Sequence, residues 1–417
     1  MKIGEFSEMF RLTPETVRFY INKGLLVPAS RNERYAFSAQ DVEDMELLQK
    51  LKRLRFSLSE IHRIVSLKRL SNFDSTDELN DYVSILKKQK KVLTRERGRL
   101  QETIAEIERE IAGAAGKHTG QAKRASGVPL AFLPYLACPH CQKGLSIKGC
   151  SIEKDQIVSG SLFCACGYQS GIQNGIVLGE RGEVSIYDGP DLERNCYRMM
   201  SPGLITLMKK NYRWMLERLE KCGTKGKLVL EDFVNDYCFC HANFEAMDPS
   251  ALYVITDKFP EIVAMYKNLI DKMNLEHQVL YIAAASHLLP LRDGCVDIYI
   301  DLATNEYAMF QQGYAMDALS RYFHERSSAV GIFWHFEDRC ESLAELRRQY
   351  PDAFDRNFDL ACFREYLGRC WQDVADFDYL GFVTDSGEED SFSYHVVGEK
   401  LNLNSYFVRG FLPEGAV

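Results

Sequence analysis

Five apolar residues, Leu79, Leu86, Leu93, Leu100 and Ile107, recur every seven positions, and Val83, Lys90, Arg97, Ile104 and Ile111 follow them at the fourth. A heptad of that length draws one seam along an α-helix about 50 Å long, at 1.5 Å rise per residue. Ser75 followed three residues later by Glu78 supplies its start, a capping box. Lys90 and Arg97 interrupt the seam in its middle, where polar residues fix register or orientation. The seam either packs inside its own chain or meets a second copy. So extended a helix has little else to bury against, which predicts a dimer through Leu79, Val83, Leu86, Leu93, Leu100, Ile104, Ile107 and Ile111.

Charge divides the chain at the same place. Residues 1–112 are net +3 and the remainder −11, within a total of −8, and residues 1–70 alone are +4. A polyanion would therefore meet the N-terminal part. That part reads as short helices: Thr13 stands before Pro14, Ser38 three before Asp41, and Ser57 three before Glu60. Gly24 closes one helix, Leu25-Leu26-Val27-Pro28 leaves it, and Arg31-Asn32-Glu33-Arg34-Tyr35 fits a small basic hairpin. Helix, turn, helix and hairpin make a winged helix–turn–helix pattern. A helix capped at Thr13 turns its amide-rich end toward an anion, and Arg18 can reach base edges or phosphates. Thr16, Tyr20, Arg31 and Arg34 are further candidate phosphate donors. The bland alternative is a solvated basic face without a partner.

Residues 113–127 are small, polar and Gly-rich, the composition of a flexible linker. Beyond them, Cys138-Pro139-His140-Cys141 and Cys164-Ala165-Cys166 form two knuckles within residues 130–180. Four thiolates at that spacing suit tetrahedral Zn²⁺ with no open position, a structural role, with His140 and Cys150 as substitute ligands. Four unligated thiols are the alternative. Thirteen cysteines, an odd count, fit a reducing cytosol better than a disulfide framework. No apolar run approaches a bilayer span, and MKIGEFSEMF lacks a secretory apolar core, so a cytoplasmic protein is expected. From residue 225 short apolar runs at 227–234, 251–256, 278–283, 296–301 and 329–333 alternate with helical stretches such as 261–273 and 315–325. That alternation predicts a doubly wound α/β sheet, closed by an antiparallel hairpin of residues 392–397 and 405–411.

Residues 1–70 resemble the MerR family of transcriptional regulators. Ile3-Gly4-Glu5-Phe6, Thr16-Val17-Arg18-Phe19-Tyr20, Gly24-Leu25-Leu26-Val27-Pro28, Phe37-Ser38-x-x-Asp41-Val42 and Phe56-Ser57-Leu58-Ser59-Glu60-Ile61 follow the family's motifs in order. In the wing the usual Gly-Tyr-Arg becomes Glu33-Arg34-Tyr35, so the resemblance leaves either Arg34 or Tyr35 to face phosphate. The resemblance implies a homodimer joined by an antiparallel helix pair at residues 75–112. It also implies double-stranded promoter DNA as ligand and RNA polymerase as the partner that benefits from a twisted promoter. Residues 130–180 resemble a zinc ribbon, and residues 190–417, most clearly Leu289-Pro290-Leu291-Arg292-Asp293-Gly294-Cys295-Val296-Asp297-Ile298, resemble a class I methyltransferase. That family binds S-adenosylmethionine, with Asp257 placed where an acid holds the ribose hydroxyls.

The family's Gly-x-Gly-x-Gly turn after the first strand is missing. Glu231-Asp232-Phe233-Val234-Asn235-Asp236-Tyr237 stands there without a glycine, and Ala284-Ala285 replaces the acid that contacts adenine. Side chains would occupy the space the cofactor needs, which predicts the fold without S-adenosylmethionine or the reaction. Cys238, Cys240 and His241, with Asp257, form a candidate effector site for an oxidant, a soft metal or a small molecule, unless they are simply core. The chain thus reads as a dimeric regulator with an inactive methyltransferase-like effector domain. An active methyltransferase with a DNA-binding head, or a protein-interaction module, are the alternatives.

Overall fold

The computed structural model describes residues 1–31, 34–71, 75–118, 126–182, 189–307, 313–353, 355–387 and 392–413. It divides into two compact units, Met1–Thr119 and Gly120–Val417.

In the first unit α1 (Ile3–Met9) and α2 (Pro14–Asn22) precede a two-stranded antiparallel wing, β1 (Ala29–Arg31) and β2 (Arg34–Ala36). α3 (Ala39–Arg53), α4 (Leu58–Ser71) and α5 (Thr76–His118) follow. The expected start signals are made: the Thr13 hydroxyl accepts from the Thr16 amide at 3.2 Å, and Ser38 with Asp41 and Ser57 with Glu60 close reciprocal boxes. Phe6, Val17, Leu26, Phe37, Leu48 and Ile61 pack a core of their own, with the Phe6 and Phe37 rings stacked at 4.0 Å. Tyr82, Ile85 and Leu86 of α5 rest on that core, and the Gln89 side chain donates to the Leu54 and Arg55 carbonyls. α5 does not stop where the Gly-rich segment begins: it runs six residues into the expected linker, to His118. At the far end of that segment Ser126 bonds to Asp271, which anchors it to the second unit. The rest of the expected linker, residues 119–125, lies outside the described residues.

The second unit opens with β3 (Val128–Pro129), β4 (Ser146–Glu153), β5 (Gln156–Phe163), β6 (Gln169–Gln173) and β7 (Ile176–Leu178). Then come α6 (Asn195–Met199), α7 (Pro202–Cys222), β8 (Leu228–Glu231), α8 (Phe239–Asn243), β9 (Leu252–Asp257), α9 (Pro260–Met273) and β10 (Gln278–Ala283). β11 (Val296–Leu302), α10 (Thr304–Tyr307), α11 (Ala315–Leu319), β12 (Phe323–His335), α12 (Glu341–Gln349), α13 (Leu360–Cys370), β13 (Trp371–Val383) and β14 (Leu401–Phe411) complete it. One sheet runs β13-β14-β12-β11-β8-β9-β10-β7-β6-β5-β3, with β4 on β5. The strands from β12 to β7 are parallel and those at both ends antiparallel. This is the expected doubly wound α/β architecture. The cysteine-bearing segment is not a separate layer, since β7 adds to β10 in parallel register.

Two expectations change. Residues 392–397 form no strand; β14 pairs instead with β13, whose acidic alternation Asp373, Asp376, Asp378 disguised it. Such charges on an edge strand discourage pairing with other chains. The helix expected over 315–325 ends at Leu319, followed by a 3₁₀ turn, because Phe323 already belongs to β12. No helix among the described residues is long and apolar enough to cross a membrane.

Candidate functional site

On the first unit, α2 is the element positioned by its cap and by burial of Val17 and Tyr20 on one face. Its opposite face leaves Arg18 exposed, 3.5 Å from the still more exposed Glu15. Thr13 and Thr16 share a hydroxyl contact at 3.0 Å beside the helix start. Tyr20 is not a phosphate donor as expected: it is 3% exposed, and its hydroxyl accepts from Lys52 Nζ at 2.9 Å. Val17 and Tyr20 lie three apart and so share the inward face. Arg31 and Arg34 are opposite each other at the end of the wing, and Tyr35 is partly buried against the core. Leu79, Val83, Leu100, Ile104, Ile107 and Ile111 are all exposed, whereas Leu86 and Leu93 line a groove of about 360 Å³ with Leu54, Phe56, Lys90 and Arg97.

In the second unit the four sulfurs of Cys138, Cys141, Cys164 and Cys166 lie within 4.8 Å of one another, with Cys138–Cys166 and Cys141–Cys164 both at 3.4 Å. Tetrahedral Zn–S bonds of about 2.3 Å place sulfurs about 3.8 Å apart, so the donor set fits a four-thiolate ion. Burial pushes the Cys138 thiol up to about 12, while the Tyr168 amide draws Cys166 down to about 7. His140 is not among the four: its Nε2 meets the Glu180 carboxylate at 2.6 Å. Cys150 is exposed on β4.

The strand order reverses at β8, between β9 and β11, so the crevice of this fold opens at the carboxyl ends of β8 and β11. Glu231 ends β8 and accepts the Phe239 and Cys240 amides, fixing the start of α8. Two residues on, Phe233 adopts φ +58°, the left-handed region that favours glycine, and is buried against Ala315. The backbone adopts a glycine-like conformation with a phenyl ring attached, and that ring joins the loop after β8 to the start of α11. At the end of β10, Ala284 and Ala285 are covered by the chain leaving β7. The Gly179 amide donates to the Ala283 carbonyl and the Ala285 amide to the Glu180 carbonyl, both at 2.9 Å. A Cβ on Gly179 would lie 2.6 Å from that of Ala284.

The expected effector set does not form an open site. Cys238 and Cys240 are 0% and 1% exposed, and burial drives both thiols far above their ordinary range. The Cys238 sulfur accepts the His241 amide at 3.4 Å, and desolvation lowers His241 to about 4. Thiols held neutral in a core neither bind soft metals nor react readily with oxidants. Asp257 ends β9, away from the α8 set in sequence, and is 1% exposed, with one oxygen accepting the Phe259 amide and the other unpartnered. Asp232, beside Glu231, bonds to Thr256 and has its second oxygen unpartnered; burial raises it to about 6. Asp191, Cys196 and Asp236, which the sequence reading missed, also cluster within 4.8 Å, but Asp191 is taken up by the Asn195 and Cys196 amides at the start of α6.

The first unit is therefore a winged helix–turn–helix module with a long helix, and the second a doubly wound α/β domain carrying a cysteine cluster. Residues 1–68 match the MerR HTH family regulatory protein model, and they form a MerR helix–turn–helix domain. The HTH-type transcriptional regulator CueR of Vibrio cholerae is 32% identical over 69 residues, which is 16% of this chain and 50% of that protein. The chain thus spans about half the length of the curated relatives it matches. HiNmlR, a MerR family regulator solved bound to promoter DNA, is 24% identical over 28% of this chain and 94% of its own, TM-score 0.22. A Haemonchus contortus phosphoethanolamine N-methyltransferase 2, solved with S-adenosyl-L-methionine, is 12% identical over 48% of this chain and 52% of its own, TM-score 0.34.

Proposed function

We propose that this protein is a dimeric, DNA-binding transcriptional regulator of the MerR type whose second unit keeps a methyltransferase-like architecture without its reaction. The observation that carries the reading is the capped, solvent-facing N-terminal turn of α2 with Arg18 exposed on its outer face, held only by a surface ion pair with Glu15, within a domain whose motifs match the family. Promoter DNA is the partner, and RNA polymerase enters by family only. The effector is unassigned. The thiolate cluster holds a structural zinc ion, about one per chain.

Charge along α5 supports the dimer. Between residues 87 and 99 stand Lys87, Lys88, Lys90, Lys91, Arg95, Arg97 and Arg99 against Glu96; between 102 and 110, Glu102, Glu106, Glu108 and Glu110 stand against Arg109. Antiparallel pairing sets each basic half beside the partner's acidic half and brings Ile104, Ile107 and Ile111 toward the groove at Leu54 and Phe56.

Gel-shift titration of the full chain on its own upstream DNA tests the reading. Arg18→Ala should weaken binding by about 1–3 kcal/mol, roughly tenfold or more, without changing the melting temperature. Retention of wild-type affinity by this variant would overturn the assignment of α2 to the groove. Retained Glu231 and Asp257 favour a second reading, an active S-adenosylmethionine enzyme, which direct binding of that cofactor would support.

A further inference from the structure

The cysteine segment and the crevice are joined at one residue. Glu180 accepts from His140, inside the first knuckle, through its side chain at 2.6 Å, and from the Ala285 amide through its own carbonyl at 2.9 Å. On its two sides Gly179 is bonded to Ala283, and a Cβ on Gly182 would lie 3.0 Å from that of Ala285, so residues 179–182 lie flat on the end of β10. Beneath them the Ala284 amide bonds to the Asp257 carbonyl, and Asp257 keeps an unpartnered carboxyl oxygen. The knuckle itself is fixed to the body from the other direction: the Ala137 amide donates to Pro290, Arg292 to Tyr135, and the Arg321 guanidinium to the Pro139 carbonyl while pairing with Asp293 at 2.7 Å.

We propose that residues 179–182 are a strap which the four-thiolate centre holds down over the carboxyl end of β10, so that loss of the metal opens the crevice at Ala284 and Ala285. The link from the centre to the strap runs through His140. A filled centre fixes the turn Cys138–Cys141, the turn fixes the imidazole, and the imidazole holds Glu180 where its carbonyl covers the Ala285 amide. An emptied centre leaves the Cys138–Cys141 turn to hydrogen bonds such as those to Pro290 and Arg321, and the His140–Glu180 contact, nearly half exposed on both sides, does not survive the loosening of that turn. The device makes metal occupancy legible at the crevice, and it rests on the metal reading above.

Hydrogen exchange on the full-length protein tests it, after metal analysis of the purified chain. Stripping zinc with a chelator should accelerate exchange in peptides covering 179–182 and 284–285 by about tenfold or more, leave β11 and β12 unchanged, and be reversed by zinc. Equal rates with and without metal overturn the strap, and so does acceleration spread over the whole second unit, since the metal would then hold the fold. Glu180→Ala should retain zinc yet exchange rapidly at 284–285, with Glu180→Gln, which still accepts from the imidazole, restoring protection. A zinc-loaded Glu180→Ala with wild-type protection overturns the strap while leaving the metal reading intact. A purified chain without metal overturns the metal reading instead.

Discussion

Asp232 carries a carboxyl held in the interior of the loop that follows β8. Its carboxyl lies at the carboxyl end of β8, 3% exposed and bonded to Thr256, and burial, outweighing the hydroxyls of Ser286 and Thr256, raises it to about 6. A carboxyl whose folded value exceeds its unfolded value binds protons more tightly when folded, so its contribution is full below about pH 4 and is lost as pH rises through 6. Asp232→Asn keeps the acceptor for Thr256 and removes the charge. We expect it to stabilise the protein by roughly 1–3 kcal/mol at pH 8 and to change little at pH 4, in urea melts at the two values. An equal effect at both would show that the group is ionised and solvated. The absence of glycine was legible in the sequence, but the left-handed Phe233 backbone was not, because residue identity says nothing of φ when the favoured residue is missing. Tyr20 was misread for a simpler reason: a hydroxyl suggests a donor, yet its spacing from Val17 already assigned it to the inner face.

The elements whose periodicity is intact were readable. Capping residues placed α2, α3, α4 and α5, and alternation of short apolar runs with helices placed β8 to β12. β13 was lost because its alternation is written in aspartates at an edge, and the hairpin was assigned to the wrong partner in consequence. α5 also makes the sharpest test at this scale. Ile104 is 54% exposed on α5, so Ile104→Asp leaves the fold of the first unit alone. It should convert the protein to monomers in sedimentation or light scattering and weaken promoter binding about tenfold or more, since one half-site is then held at a time. A dimer that persists in this variant would move the interface off the heptad seam.

Across the second unit the features that the proposed loss of S-adenosylmethionine binding rests on are separate in sequence and meet at the carboxyl ends of the parallel strands. Phe233 packs on Ala315 across the switch point, residues 179–182 cover Ala284 and Ala285, and Asp257 is bonded to the turn that starts α9. Removing one would leave the others, so a partial loss of affinity is not the expected result; absence of binding is. Calorimetry of the full-length chain should show no heat with S-adenosylmethionine up to about 1 mM, an affinity weaker than about −4 kcal/mol. Zinc-loaded and zinc-stripped protein should differ only if the strap is the dominant obstacle, because the phenyl ring at Phe233 is indifferent to the metal. Binding in both forms at micromolar concentration would mean that the ring swings aside at little expense, and the second unit would then be an enzyme whose cofactor loop works without glycine.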